Sequence, residues 1–356
     1  MPNHCNQVYV LPDPGKDVHF KNVRHQQWSP FAIYTDFEAL TTPVDIQTSG
    51  STKMYQHQTP ISVAYKVVSR ALTKEGTYIG SKEIQIHHGA DSAIWLTEKM
   101  QEEKERLKEI LFDDERLHPL TWQEETRHHN ADKCYICKKP FGPKIPEQKV
   151  MDHDHVTGLY RGPAHSKCNL MMRKLYKIPV VFHNFKGYDS HLLVWGIAAQ
   201  KEKKQLSVIA QGMEKYMMIE FENRLQFKDS MLFLNASLER LVANLVDTEK
   251  KESKPKFHQL LKGLNPTGEA GFENTEKFQI LCQKGVYPYD WMNDEAKLEE
   301  KQLPSIADFR NGLRDEECDP EDYERAQKVW KLWNMKTFRD YHELYLKCKT
   351  YVKYFI

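Results

Sequence analysis

Two pairs of metal-binding side chains, set at the same spacing, limit this chain more than any other feature. Cys134-Tyr-Ile-Cys137 puts two thiols two residues apart, and His165-Ser-Lys-Cys168 repeats that spacing with an imidazole and a thiol. A turn of this kind converges two side chains. Two such turns offer the four soft or borderline donors of a tetrahedral zinc site. The surrounding segment, roughly 60 residues long, has too little apolar material for a large core, so a bound ion would supply much of its stability. Chance Cys and His pairs do occur on surfaces, but equal spacing within so short a stretch favours ligation.

Cysteine usage elsewhere agrees. The chain has 356 residues and 7 cysteines, and Cys5, Cys282, Cys318 and Cys348 are scattered rather than framed for disulfides. That pattern suits a reducing compartment. Lys and Arg number 51 against 50 Asp and Glu, a net charge of +1, so any nucleic-acid-binding surface must be local. No stretch of about 18 apolar residues exists, and the first residues lack an apolar signal core. A soluble intracellular protein without a membrane partner is expected, with nucleus and cytoplasm both open.

Strand and helix signals place the paired donors inside an α/β core. Residues 1–28 are polar and read as a loose lead-in. Phe31–Glu38, rich in aromatic and β-branched residues, reads as a strand, followed by Ile61–Val68 and Thr77–Ile86. The Thr-, Pro-, Ser- and Gly-rich run near residues 41–53 reads as a loop. Apolar positions Ile94, Leu96, Met100, Leu107, Ile110 and Leu111 predict an amphipathic helix over 91–112. After the His- and Cys-rich residues 118–177 come a strand at Ile178–His183 and a helix from about Ser190 to Ala199. Strands at Tyr216–Phe221 and Leu225–Phe227, a helix at 236–245, a charged linker at Lys250–Lys256 and a helix at Glu321–Leu332 follow. The expected layout is one α/β domain in two halves, 29–117 and 178–250, with 118–177 inserted and 251–356 as a C-terminal segment.

Between the donor pairs lies Asp152-His153-Asp154-His155, then Thr157-Gly158-Leu-Tyr-Arg161-Gly162. A carboxylate beside an imidazole offers two parts of phosphodiester hydrolysis: a ligand for Mg²⁺ and a general base for water. Asp152 would hold the metal and His153 would take the proton, with His155 as the alternate base. Asn169, directly after Cys168, is placed to be a second oxygen ligand, while Arg161 and Lys167 could meet phosphate. An exposed turn with solvated histidines is the plainer reading of the run alone; its position between the donor pairs favours catalysis.

Cys-x2-Cys, Asp-His-Asp-His, Thr-Gly-x-Tyr-Arg-Gly and His-x2-Cys-Asn together resemble the recombination endonuclease VII branch of the HNH (ββα-metal) nucleases. The resemblance implies Mg²⁺-dependent cleavage of branched or distorted DNA beside a structural zinc. His165 departs from the pattern by standing where that branch carries a cysteine, an exchange that zinc tolerates.

A second constellation flanks the first. Asp36 and Glu38 lie on one face of a strand, because strand side chains alternate, and paired acids are how two-metal nucleases hold ions roughly 4 Å apart. Val180-Val-Phe-His-Asn184-Phe-Lys-Gly-Tyr188-Asp189 then resembles the second exonuclease motif of family B DNA polymerases, and Asp36-x-Glu38 the first. With Phe227-Lys-Asp229-Ser230, Tyr287-Pro-Tyr and Thr337–Lys347, the chain is similar to the protein-primed polymerases of viruses, linear plasmids and Polinton-type transposons. That resemblance implies a ribonuclease H-like 3′–5′ exonuclease fold on a mixed sheet. It makes Asp36, Glu38 and Asp189 magnesium ligands and sets Asn184, Tyr188, Ser230 and Tyr345 against a single-stranded 3′ end. A terminal protein primer is the partner implied for full-length members. Two departures stand out. Lys349 occupies the place of the third-motif aspartate after Tyr345, where a cation repels Mg²⁺. The chain also ends at Ile356 before any palm, as a truncated gene product would.

The expected function is therefore DNA hydrolysis at the inserted module, within the exonuclease portion of a polymerase-like chain. A non-catalytic zinc-containing DNA-binding remnant is the alternative, and a zinc-stapled protein-interaction module a third. Tyr287, Tyr289 and Trp291 read as an aromatic-packed turn, Trp330 and Trp333 as core, and Lys201–Lys204 as a solvated helix end. His128 and His129 are left out of the donor set.

Overall fold

The computed structural model describes residues 28–49, 52–73, 76–112, 116–172, 177–200, 205–245, 275–283, 285–312 and 315–353, with a few isolated positions besides. Most of the expected lead-in, the Lys201–Lys204 cluster and the Lys250–Lys256 linker lie outside them. In chain order the strands are β1 Phe31–Ser49, β2 Thr52–Ser69, β3 Lys82–His88, β4 Lys149–His153, β5 Tyr160–His165, β6 Ile178–Phe182, β7 Leu206–Gly212, β8 Lys215–Phe221 and β9 Leu225–Asp229. Helices follow as α1 Ser92–Phe112, α2 Trp122–Asn130, α3 Ser166–Met171, α4 Asp189–Ala198, α5 Met231–Leu234, α6 Leu238–Leu245, α7 Glu276–Leu281, α8 Pro320–Leu332 and α9 Phe338–Val352. They group into two compact units. The larger is drawn from residues 29–115, 155–157 and 176–356, the smaller from 1–28, 116–154 and 158–175.

Seven strands of the larger unit form one mixed sheet in the order β3-β2-β1-β6-β9-β8-β7. Strands β1, β6 and β9 run parallel, while β3-β2-β1 and β9-β8-β7 are antiparallel. The class is α/β, as the alternation of strand and helix signals predicts. Alternate residues Ile178, Val180 and Phe182 of β6 and Leu225, Phe227 and Asp229 of β9 are buried. Phe182 is the centre of the packing, its ring 5.9 Å from Phe37 and 5.0 Å from Phe185. Helices α1 and α4 pack on each other, and Gly196 permits the approach: a Cβ there would lie 2.3 Å from the Ala93 carbonyl oxygen.

Three elements differ from the sequence expectation. Residues 41–49 and 52–53 are not a loop; they extend the β1–β2 hairpin to Ser49↔Thr52. The Thr-rich run has β-branched side chains that suit a strand, and Pro43 sits where the register shifts, a place that tolerates its missing N–H. The third strand begins at Lys82 rather than Thr77. Helix α9 gave only a motif match in the sequence, yet Thr337 and Asp340 form a capping box at its start. Tyr287, Trp291, Trp330 and Trp333 pack into the apolar cluster under α8 and α9, as expected, whereas Tyr289 is exposed.

Helix α9 packs on β1 and β2 and carries a buried polar network with it. The His342 ring, wholly buried, joins Ser62 Oγ through Nε2 at 2.5 Å and Tyr287 Oη through Nδ1 at 2.6 Å. Burial pushes this imidazole down to about 3. The folded chain thus keeps His342 neutral where an unfolded one, titrating near 6.5, takes up a proton. Stability should fall as pH drops from about 6.5 towards 3, by up to about 1.4 kcal/mol per pH unit from this group. Urea unfolding of native and His342→Gln chains between about pH 6 and pH 4 should show the slope reduced in the variant; equal slopes would contradict this account.

Candidate functional site

The smaller unit is built on the antiparallel hairpin β4–β5 with α3 following it directly. Asp152 stands opposite Gly162, and the register shifts between Asp152 and His153 so that His153 faces Tyr160. A tight turn joins the strands: Gly158, at φ +67°, donates its N–H to the Asp154 carbonyl, and a Cβ there would meet the Arg116 carbonyl at 2.6 Å. Lys149, at the start of β4, donates to the carbonyls of His128, His129 and Ala131 at 2.9–3.0 Å. It thereby closes the C-terminus of α2 with a cation.

The sequence pairs converge as expected. The donor atoms of Cys134, Cys137, His165 and Cys168 all lie within 4.8 Å of one another. His165 Nδ1 is 3.2 Å from Cys137 Sγ and 3.8 Å from Cys168 Sγ, while its Nε2 meets the Pro140 carbonyl at 2.9 Å. That second bond assigns the ring proton to Nε2 and turns the bare Nδ1 towards the thiols, the arrangement a metal-bound histidine needs. The knuckle is anchored to the hairpin by the Tyr135 N–H, which donates to the Pro163 carbonyl at 2.9 Å. Burial, with the neighbouring Cys137 thiol, pushes Cys168 up to about 12. Burial also raises Cys134, but backbone N–H groups of Cys137, His165 and Ile136 more than offset it and leave that thiol low. Three sulfurs this close call for a cation, and a Cys3His set is one that could hold zinc. His128 instead meets the Tyr160 hydroxyl at 2.8 Å.

Asp152 has no exposed surface. Arg161 grips it with Nε on Oδ2 at 2.9 Å and NH2 on Oδ1 at 3.0 Å, and the Tyr135 hydroxyl donates to Oδ2. Gly162 makes room for this tyrosine, since a Cβ would lie 3.0 Å from its ring. Sequence reasoning missed Tyr135, and expected Arg161 to face phosphate; the structure turns its guanidinium onto Asp152, with NH1 3.8 Å from Asp154. A carboxylate buried this deeply needs a bidentate partner more than a substrate does. His153 is half-buried on β4, Lys167 is exposed, and Asn169 lies on α3, which packs against both strands. His155 groups with residues of the larger unit.

In the larger unit the acids of the second constellation lie on β1 and at the start of α4. Asp36 and Glu38, both nearly buried, sit on β1 just beyond the stretch that pairs with β6. Asp229 shapes the turn after β6, accepting the N–H groups of Asn184 at 2.9 Å and Lys186 at 3.0 Å. Asn184 takes the left-handed conformation there (φ +68°), and the turn delivers Asp189 to the start of α4. Two lysines of the C-terminal helix region reach these acids. Lys349 Nζ lies 2.9 Å from Asp36 Oδ2 and 2.8 Å from Glu38 Oε1; Lys353 Nζ lies 2.6 Å from Asp36 Oδ1 and 2.9 Å from the Thr35 carbonyl. Burial opposes the charge on Asp36, yet Lys349 and Lys353 hold its carboxyl below the usual range. Burial, reinforced by Asp36, pushes Asp189 up to about 8. Lys353 was missed from sequence, although its four-residue offset from Lys349 puts both on one helical face.

The residues expected against a DNA strand are largely engaged within the fold. Ser230 Oγ donates to the Phe182 carbonyl and meets His183 Nδ1 at 2.9 Å. Tyr345 stacks on Tyr287 at 4.8 Å and shares a 2.6 Å hydroxyl contact with Tyr289. Tyr188 is half-buried beside the core.

Residues 115–190 match the family model described as recombination endonuclease VII. That range holds all four clustered donors and the 152–155 run, so this part of the chain is an endonuclease VII-like, nuclease-like module. No curated protein and no solved structure matches the chain. Among the described residues no helix is long and apolar enough to cross a membrane.

Removing Arg161 would leave the Asp152 carboxylate buried with only Tyr135. Arg161→Met should lower the stability of the smaller unit by about 3–5 kcal/mol, and Arg161→Met with Asp152→Asn should recover part of it. Urea unfolding reads both; an Arg161→Met chain as stable as the native one would refute the holding role of this pair.

Proposed function

We propose that the module hydrolyses DNA phosphodiesters, with zinc as its structural ion and Mg²⁺ as its catalytic one. The observation that carries the reading is the convergence of Cys134, Cys137, His165 and Cys168 around the hairpin bearing Asp152 and His153. The donor set fits zinc by type and number. Asp152 accepts three hydrogen bonds, and a carboxylate has about four lone-pair sites, so Oδ1 keeps capacity for a metal alongside Asn169. An ion there would polarise the scissile phosphate and acidify a bound water.

The chain's own groups supply the rest. His153 takes the proton of the attacking water, a role its half-buried place on β4 supports; His155 remains the alternate. Arg161 fixes the carboxylate in one orientation, and exposed Lys167 meets the phosphate backbone. Branched or distorted DNA is the proposed substrate.

We assign the larger unit to the ribonuclease H-like exonuclease fold of protein-primed DNA polymerases. The order β3-β2-β1-β6-β9, with β1 acids facing the turn after β6, supports the assignment. Single-stranded 3′ ends and a terminal protein are the partners it suggests. A second reading, a DNA-binding chain without catalysis, draws support from the inward-turned Arg161 and from Lys349.

Two outcomes test the first reading. The purified chain should contain about one zinc per molecule, and Cys137→Ser or chelation should remove it together with the far-ultraviolet circular dichroism of the module. Native chain with Mg²⁺ should cut four-way-junction or duplex DNA, and His153→Ala should slow cleavage by about 10²–10⁴-fold. If native and His153→Ala chains act alike, or neither cuts, the endonuclease assignment is lost; DNA affinity that falls steeply with salt, without cleavage, would favour the second reading.

A further inference from the structure

The ribonuclease H-like reading of the larger unit calls for divalent cations at Asp36 and Glu38, and the present inference rests on that reading. Three of the four carboxylate oxygens of that pair already face ammonium groups. Lys349 Nζ bridges the two carboxylates, 2.9 Å from Asp36 Oδ2 and 2.8 Å from Glu38 Oε1. Lys353 Nζ takes the other oxygen of Asp36 at 2.6 Å and the Thr35 carbonyl at 2.9 Å. The second ammonium is 1% exposed, while the carboxylates are 5% and 4% exposed at their side chains. Lys349, 24% exposed at its side chain, reaches the pair from the rim, while the Lys353 contact lies in the interior where solvent does not screen it.

Both lysines come from one helical face, four residues apart. Helix α9 is fastened against the sheet by its own buried network through His342, Ser62 and Tyr287. Withdrawing Lys353 would strand a buried ammonium and uncover Asp36 at once. A dication brought to the same oxygens would face two fixed positive charges at hydrogen-bonding range. The acidic cluster therefore does not fit the metals that its fold implies.

We propose that Lys349 and Lys353 replace the divalent cations of the Asp36–Glu38 pair, making the larger unit a metal-independent body whose acids are held by internal ammonium groups. Phosphodiester hydrolysis by this chain then belongs to the module at 118–177 alone. Lys349, at the bridging position, is the residue that closes the cluster to metal.

Manganese binding to the zinc-loaded full-length chain tests this, counted by electron paramagnetic resonance of the unbound ion. The native chain should bind at most one Mn²⁺, at the module, and more than one overturns the proposal. Lys349→Asp should add at least one ion, and Lys349→Asp with Asp36→Asn should lose it again. A Lys349→Asp chain with native circular dichroism and a native ion count overturns the proposal; if that variant fails to fold, the native count decides. Failure of the endonuclease reading appears separately, as intact branched DNA, and leaves these counts unchanged. An added ion without degradation of 3′-ended single strands keeps the replacement and removes the exonuclease kinship.

Discussion

A carboxylate taken out of water needs a cation or a proton, and both units of this chain are arranged around that requirement. In the smaller unit Arg161 and Tyr135 enclose Asp152. In the larger one Lys349 and Lys353 enclose Asp36 and Glu38, while Asp189, with Oδ1 left unpartnered in the fold, keeps a raised pKa of about 8. Asp152 is held by neighbours nine and seventeen residues away, whereas Glu38 meets a lysine 311 residues further along the chain.

The two solutions differ in the kind of cation that meets the acid. Asp152 sits on a short hairpin whose packing material is slight, next to a four-donor cluster that an ion can tie together. Arg161 satisfies the carboxylate through a planar fork and leaves lone-pair capacity on Oδ1. The β1 acids are instead capped by point charges at the bridging position. The first arrangement fixes one acid with a planar fork; the second sets two ammonium groups against two acids.

Seen together, the sites suggest a division of labour within one polypeptide. The endonuclease VII-like match at 115–190 and the metal-ligand cluster coincide in the smaller unit. In the second unit Asp229 shapes the turn that follows β6 of the large sheet.

Much of this was legible beforehand, and for identifiable reasons. Equal Cys/His spacing encodes a short-range turn geometry, so Cys134, Cys137, His165 and Cys168 could be grouped from sequence, while the aromatic and β-branched content of Phe31–Glu38 and the apolar run Ile178–Phe182 marked the strands. The β1–β2 extension was hidden because Thr, Ser and Pro give the same composition to a loop and to a polar hairpin. The inward turn of Arg161, the hydroxyl of Tyr135 on Asp152 and the arrival of Lys353 at Asp36 were not readable. Local pattern determines which residues form a turn, a strand or a helical face, and so the sequence alone specified the donors and the acids. Which cation each acid meets is set by contacts that local pattern does not encode, from Asp152 and Arg161 across one hairpin to Glu38 and Lys349 at a separation of 311 positions, and only the tertiary structure could decide it.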